Sequence, residues 1–378
     1  MEVAPRLSFL VSAFALLWPV TASAQQAASA VYVRVDTDHT TVVTPRVSVE
    51  APLGDETSVD VAYSMDVWSS ASVDIATSAS RPVTEKRDEI NLAVTQEFND
   101  AALSAGYRYS YEPDYTSHSA SLGLKLDFAN KASTLEVGGG ISFDDVGRAG
   151  DANFSRSLHT YNAQLTFTQV LDASTLLQGV YTLGYSDGYL SSPYRYIGIG
   201  SWNGSCGAGV MVGQGGNEFC LPESNPPERL RHAFVLRAAR ALGDSFSGAL
   251  AYRFYIDDWD ILSHTVLADL HWLPDNDTVF ALRYRFYLQS QASHYRARYP
   301  YPYTSYLKEY YTRDKELSPF NSHRLALEFE RSWALSGAPG ETFRTVLSVG
   351  PTVYFYSNFI PYERIFAFET TLSAVVVL

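Results

Sequence analysis

Past its first eighteen residues the chain has no apolar run of the roughly twenty residues that a membrane-spanning helix requires. It has two cysteines in 378 residues, which excludes a disulfide framework as the source of its stability. Lysine is sparse, arginine supplies most of the positive charge, and the formal net charge is −13. Nucleic acid is not expected as a partner, because neutralising phosphates needs a basic surface. Aromatic residues are plentiful instead, with 26 tyrosines and 20 phenylalanines.

The N-terminus carries a targeting pattern. Arg6 follows Glu2, Phe9 to Trp18 is apolar, and Ala22-Ser23-Ala24 is a small-residue cleavage site. Residues 1–24 are expected to be a secretory signal peptide, with 25–378 as one mature domain. The apolar run is too short for a helical anchor. No cysteine opens the mature chain, so a lipoprotein is not expected.

Ala249 to Gln289 shows what the mature chain is made of. Phe246, Leu250, Tyr252, Phe254 and Ile256 fall on one face of a period-two pattern, with Ser247, Ala249, Ala251 and Arg253 on the other. Leu262, Val266, Ala268, Leu270 and Trp272 then oppose Ser263, Thr265, Asp269 and His271. Phe280, Leu282, Tyr284, Phe286 and Leu288 oppose Ala281, Arg283, Arg285 and Gln289. A period of two is a β-strand. A continuous aromatic face about ten residues long, backed by arginines, fits a strand with lipid on one side and water on the other.

The same alternation recurs from Val31 to Leu378. Short connections are expected near Gly54, Asn99, Asn130, Asp172, Gly243, Asp275 and Gly337–Gly340. Longer or more variable ones are expected at 69–84, 112–117, 144–155, 186–228, 257–260, 290–320 and 357–362. They alternate along the chain, which is the sidedness of an outer-membrane barrel. Both termini then lie on one side, so the strand count is even. About sixteen strands result if Val31–Val35 is the first and Asp36–Thr40 an outside turn, with fourteen as the fallback. The last strand alternates up to Leu378, where such barrels commonly end in an aromatic residue.

Several phrases carry a family resemblance. They are Ser70-Ala71-Ser72-Val73-Asp74 with Thr77-Ser78-Ala79-Ser80, Tyr252-Arg253-Phe254-Tyr255 with Asp257-Asp258-Trp259 and Ser263-His264-Thr265, and Arg283-Tyr284-Arg285-Phe286-Tyr287 with Gln289-Ser290 and Tyr295. Together they resemble a bacterial family known as domain of unknown function 3570, whose members are predicted outer-membrane proteins. The resemblance implies a barrel and a location, and no activity.

Four groups could carry chemistry. Cys206 and Cys220 share one long loop and are expected to pair in an oxidising compartment, stabilising it by roughly 3 kcal/mol. Asp257, Asp258 and Asp260, with His264 after them, have the composition of a rim protease or a calcium site. Alternation, however, puts His264 with Leu262 and Val266 on the lipid side, leaving a polar turn. Arg253, Arg283 and Arg285 are a candidate lumen constriction. A three-residue loop pairs Arg253 with Thr265, and a turn centred on Asp275 pairs Thr265 with Arg285, so the two arginines share one level with Arg283 just below. Rings of arginine select anions, whereas paired with lumen acids they only pack. The Tyr299-Pro300-Tyr301-Pro302-Tyr303 run reads as a binding loop, an inward plug or a stiff outside loop.

The expected fold is all-β: a transmembrane antiparallel up-and-down barrel in the bacterial outer membrane. The expected function is a channel or passive transporter for small solutes, since about sixteen strands leave room for a water-filled lumen. The alternatives are a structural or adhesion barrel with a filled lumen and an outer-membrane hydrolase. No catalytic set, metal site or cofactor motif is read from the sequence. The expected partners are outer-membrane lipid, the outer-membrane assembly machinery and a small-molecule solute.

Overall fold

A computed structural model describes residues 26–70, 83–200, 217–299, 310–335 and 340–378. The expected signal peptide, most of the 69–84 loop, Cys206, Tyr301, Tyr303 and the turn at Gly337 lie outside the described residues.

The first half of the wall comprises β1 (Gln26–Asp36), β2 (Thr40–Pro52), β3 (Thr57–Ser70), β4 (Val83–Glu97), β5 (Ala101–Glu112), β6 (Tyr115–Phe128), β7 (Ser133–Val146), β8 (Arg156–Asp172) and β9 (Thr175–Gly188). Two short strands, β10 (Tyr196–Gly200) and β11 (Asn217–Pro222), leave the wall as a separate hairpin. The wall resumes with β12 (Glu228–Ala241), β13 (Phe246–Asp257), β14 (Leu262–Asp275), β15 (Thr278–Gln289), β16 (Phe320–Ala334), β17 (Thr342–Tyr356) and β18 (Arg364–Val377). β9 pairs directly with β12, and β1 pairs with β18 from Gln26↔Val377 to Asp36↔Ala367. The result is a closed antiparallel barrel of sixteen strands. The first strand is longer than the Val31–Val35 expected, and the strand count is the even one.

Alternation builds the two faces. Leu122, Leu236 and Leu250 are 67%, 63% and 59% exposed, and Phe246, Tyr252, Phe280 and Phe366 stand out beside them on the outer face. A continuous apolar belt of this kind is not a surface that water tolerates. The inner face is polar or small: Ser104, Gly106, Ser119, Ser121, Gly138, Gly140 and Gln164 on one side, arginines on the other. Packed apolar clusters occur instead at the barrel end carrying the long connections, around Trp259 and Tyr295, around Phe320 and Tyr356, and around Ile197 and Tyr299.

The loops sort less strictly than expected. Three connections at the long-loop end are tight. Glu112 pairs with Tyr115, so Pro113-Asp114 alone makes the turn expected to span 112–117; proline presets the first corner. At Asp36 and Asp257 a carboxylate replaces backbone partners. Asp36 Oδ1 accepts from Asp38 N (3.0 Å) and Thr40 N (3.0 Å), and Asp257 Oδ1 from Trp259 N (3.1 Å) and Ile261 N (2.9 Å). Such local side-chain bonds are how Asp closes a turn.

One close approach in the wall demands glycine. The β16–β17 ladder breaks between Arg324↔Thr352 and Leu327↔Val349, where Pro351 has no N–H to offer. A Cβ on Gly350 would press on the Leu325 carbonyl oxygen and stand 2.7 Å from the Ala326 Cα. Backbone cannot swing aside as a side chain can. Gly350→Ala is therefore expected to cost about 1–3 kcal/mol, as overpacking does. Urea unfolding of the barrel in vesicles measures this, and an unchanged midpoint would show that the wall relaxes there.

Candidate functional site

The described parts of two excursions, 189–200 with 217–227 and 290–299 with 310–319, fold onto each other and form a cap at one mouth of the barrel. Their backbones join by bridges between Ile199 and Tyr299 and between Ser224 and Tyr311. The Tyr299 hydroxyl donates to Thr312 O (3.0 Å) and accepts from Thr312 N (3.1 Å). Of the aromatic run around it, Tyr299 is thus an internal strut of the cap.

Glu223 is the hub between the two excursions. Its buried carboxylate accepts from Ser192 N (2.8 Å), from Arg195 Nη1 (3.3 Å) and from the Thr312 hydroxyl. Burial pushes its pKa up, and the Arg195 guanidinium pulls it back. Arg195 also binds Asp314 (2.7 Å), and Lys315 reaches Asp38 (2.7 Å) in the turn between β1 and β2. Lys315 therefore ties the cap to the rim at the β1–β2 turn. Gln289, on the inner face of β15, donates to Glu316 O (2.9 Å) and Ser318 O (2.7 Å), which draws the second excursion inward. Cys220 lies in β11 and is disulfide-bonded.

Below the cap is a cavity of about 310 Å³. Asp314, Glu316 and Leu317 roof it, and Arg253, Tyr255, Tyr287 and Gln289 line its wall. The Arg253 guanidinium lies 5.5 Å from the Tyr255 ring centre, and that of Arg285 lies 5.5 Å from the Tyr287 ring centre.

The register revises the expected arginine level. Arg253 does face Thr265, but Thr265 faces Tyr287, not Arg285. The β14–β15 turn closes with Asp275 opposite Thr278, so it is centred beyond Asp275, and with the one-residue shift between Trp272 and Asp275 every partner lies two residues from the one expected. Arg285 instead shares a row with Leu267, Ala251 and Arg237 on one side and Arg324 on the other. Three lumen arginines, Arg237, Arg285 and Arg324, thus lie on one hydrogen-bonded row across β12–β16, with Arg253 two residues nearer the cap. Their pairing differs. Arg283 binds Glu328 (2.8 Å) and Arg324 binds Glu369 (3.1 Å). Among the described residues, no carboxylate is within ion-pair distance of Arg237, Arg253 or Arg285.

The ring order places β3, β4 and β5 across the lumen from β13, β14 and β15. Asp66, Glu85, Arg87 and Glu112 line a second cavity there, of about 410 Å³, and Arg87 is held by Asp66. Between the acidic and basic walls, β5–β9 present small side chains along a cavity of about 580 Å³. The interior is thus polarised across its width, with one flank kept clear of bulk.

The acidic rim is a turn, not an acid–base pair. Asp257 is buried and also accepts from Arg229 Nε (3.0 Å), Arg229 Nη2 (2.6 Å) and the Tyr255 hydroxyl (2.7 Å). His264 is on the opposite, outer face, where its Nδ1 is 2.7 Å from the Tyr252 hydroxyl. Sequence reasoning missed His294, which lies in the cap against Trp259 (ring centres 4.9 Å apart), with Nε2 3.0 Å from Asn225 Oδ1.

Burial, aided by the positive charge of Arg229, lowers the His294 pKa to about 4, with Asp257 opposing. The folded value is below the ordinary one of about 6.5, so the unpacked cap binds the proton more readily. The contribution of neutral His294 is complete above about pH 6.5 and is lost as pH falls toward 4. Protease cleavage of the cap is expected to accelerate over that window, and His294→Gln, which keeps a neutral polar group there, to flatten the response. Equal acceleration in both proteins would remove His294 as the cause.

No curated protein sequence matches the chain. Among solved structures, a bacterial polysaccharide outer membrane secretin superposes with a TM-score of 0.51 at 9% identity, over 93% of this chain and 98% of that one. OprD of Pseudomonas aeruginosa superposes with a TM-score of 0.45 at 9% identity, over 94% and 96% of the two chains. At 9% identity the likeness to the secretin is one of fold, that of an outer-membrane β-barrel. A family model matches residues 78–337, more than half of the chain, and the chain belongs to the protein family of unknown function DUF3570.

Proposed function

We propose that this protein is a passive outer-membrane channel for small polar solutes, which holds their anionic groups against the arginine wall of β12–β16. The supporting observation is the direct cross-strand pair Arg285↔Arg324. Like charges facing one another destabilise a sheet. Arg324 has Glu369 to offset the cost, and Arg285 has no acidic partner among the described residues. Cations left unpaired inside a barrel favour a passing anion. The acidic wall across the lumen turns a solute that carries both charges so that its ends face opposite walls.

The rest of the reading follows from this role. Residues 1–24 act as an export signal, the apolar belt meets outer-membrane lipid after insertion by the assembly machinery, and the cap faces outward. A Cys206–Cys220 disulfide staples the first excursion. The chain carries no catalysis of its own: Asp257 is engaged by five donors and His264 is on the far side of the wall. A capped, structural barrel is the second reading, favoured by the roof over the 310 Å³ cavity.

Planar-bilayer recordings decide between them. The channel reading expects stable conductance from the folded protein, and a reversal potential that moves toward cation preference in Arg253→Gln/Arg285→Gln. Folded protein that never conducts would overturn it. The clear flank offers a second check. A Cβ on Gly138 meets only the Leu122 carbonyl oxygen at 3.6 Å, an ordinary contact, so Gly138→Phe can project into the lumen without straining the wall. That variant is expected to fold normally and conduct less.

A further inference from the structure

The outer face carries a repeated construction that the channel does not use. Five of the eight histidines face outward, on the strands that descend from the cap: His118, His159, His232, His264 and His323. Each is the third to fifth residue of its strand counted from the cap end. They therefore form a girdle at one height, at the upper edge of the apolar belt.

Four of them are held in the same way. Tyr107 OH is 2.7 Å from His118 Nδ1, Tyr181 OH is 2.9 Å from His232 Nδ1, Tyr252 OH is 2.7 Å from His264 Nδ1, and Tyr284 OH is 2.7 Å from His323 Nδ1. The histidines pair directly with Tyr109, Leu183, Phe254 and Phe286. In every case the tyrosine is two residues earlier on the ascending strand. It is rooted about 7 Å deeper in the belt and reaches up to the imidazole. One such contact is ordinary belt packing; four copies of one diagonal geometry around the ring call for a common cause.

With the phenol donating, Nδ1 is the acceptor and the ring proton is on Nε2. Among the described residues none of these four Nε2 atoms has a protein partner. An N–H turned toward hydrocarbon is costly, so the girdle suits a depth at which lipid supplies acceptors. The charge beside it specifies which. Arg364, exposed on the outer face, stacks over Phe355 at 5.8 Å, and Phe355 meets His323 edge-on at 5.9 Å. A fixed cation beside an N–H donor matches an anionic oxygen.

We propose that the tyrosine-pinned histidines form a lipid-binding girdle that donates to the phosphate groups of headgroups in the cap-side leaflet, with His323 and Arg364 as its strongest position. This rests on the membrane-spanning reading above. The tyrosines are positioning residues; the histidines and Arg364 make the contact.

The test uses the full chain in vesicles of equimolar phosphatidylglycerol and digalactosyldiacylglycerol. The second lipid keeps the ester carbonyls and has no phosphate. Native mass spectrometry reads the lipid retained after mild extraction. The wild type is expected to keep phosphatidylglycerol several-fold over the galactolipid, and His118→Phe/His232→Phe/His264→Phe/His323→Phe to fall to parity. Should that variant fail to fold, His323→Phe/Arg364→Gln, at a single position, is expected to lower the preference. Tyr284→Phe, which keeps the ring and releases the pin, is expected to do so less. No preference in the wild type, or the wild-type preference in whichever histidine variant folds, overturns the girdle. Insertion is read separately, by protection of the barrel from protease in the same vesicles. A barrel that does not insert sinks the membrane reading, whereas one that inserts without preference sinks only this one.

Discussion

Every backbone N–H and C=O of a wall that faces hydrocarbon must find its partner in a neighbouring strand, because lipid offers none. The rest of this molecule depends on that requirement. It closes β1 on β18, so the first and last of the described strands share one register and the sheet has no free edge. It lets β10 and β11 leave only because β9 and β12 pair without them. It also makes every strand two-faced, since successive side chains must point outward and to the lumen in turn. Where the wall breaks the rule, between Arg324 and Leu327, a glycine and a proline absorb the irregularity.

Closure frees the interior from having to be a core. Among the described residues, the apolar clusters that pack as a protein interior does are at the cap end of the barrel. The lumen is organised by charge instead, with arginines on β12–β16 across from acids on β3–β5 and a flank of small side chains between. Aspartate serves two purposes in this arrangement. Asp36 and Asp257 each close a tight rim turn through backbone N–H groups and each also hold an arginine, Arg34 and Arg229. A carboxylate with four lone-pair directions satisfies both demands, which is why a cluster that resembles acid–base chemistry in sequence is a structural corner in the fold.

Legibility followed the range of the interaction. Leu262 and Val266 put His264 on the outer face by alternation alone, and it is outward. Arg253 opposite Thr265 was legible because the β13–β14 turn is tight and nothing intervenes. The level expected for Arg285 is two residues off because the turn closes at Asp275↔Thr278, beyond the expected centre at Asp275, and alternation carries no mark of where within Asp275-Asn276-Asp277 the chain reverses. Alternation lapses over 112–117 and points to a loop there, although Pro113 and Asp114 make a two-residue corner. His294 carried no signal at all, since its burial comes from Trp259 and Asn225, remote in sequence.

What the sequence determined by itself was the strand period, the face each residue takes, the even strand count and the family. All of these depend on contacts between neighbours along the chain or across one turn. The tertiary structure alone decided which walls oppose each other, because that requires the ring to be closed. It alone also decided that the two excursions form a cap: Lys315 and Asp38 are separated by 277 residues, and no local pattern encodes a contact at that distance. The tyrosine–histidine girdle lies between these cases. Its faces were legible from alternation, but its diagonal pairing needed the register of four separate hairpins and junctions, which only the assembled ladder supplies.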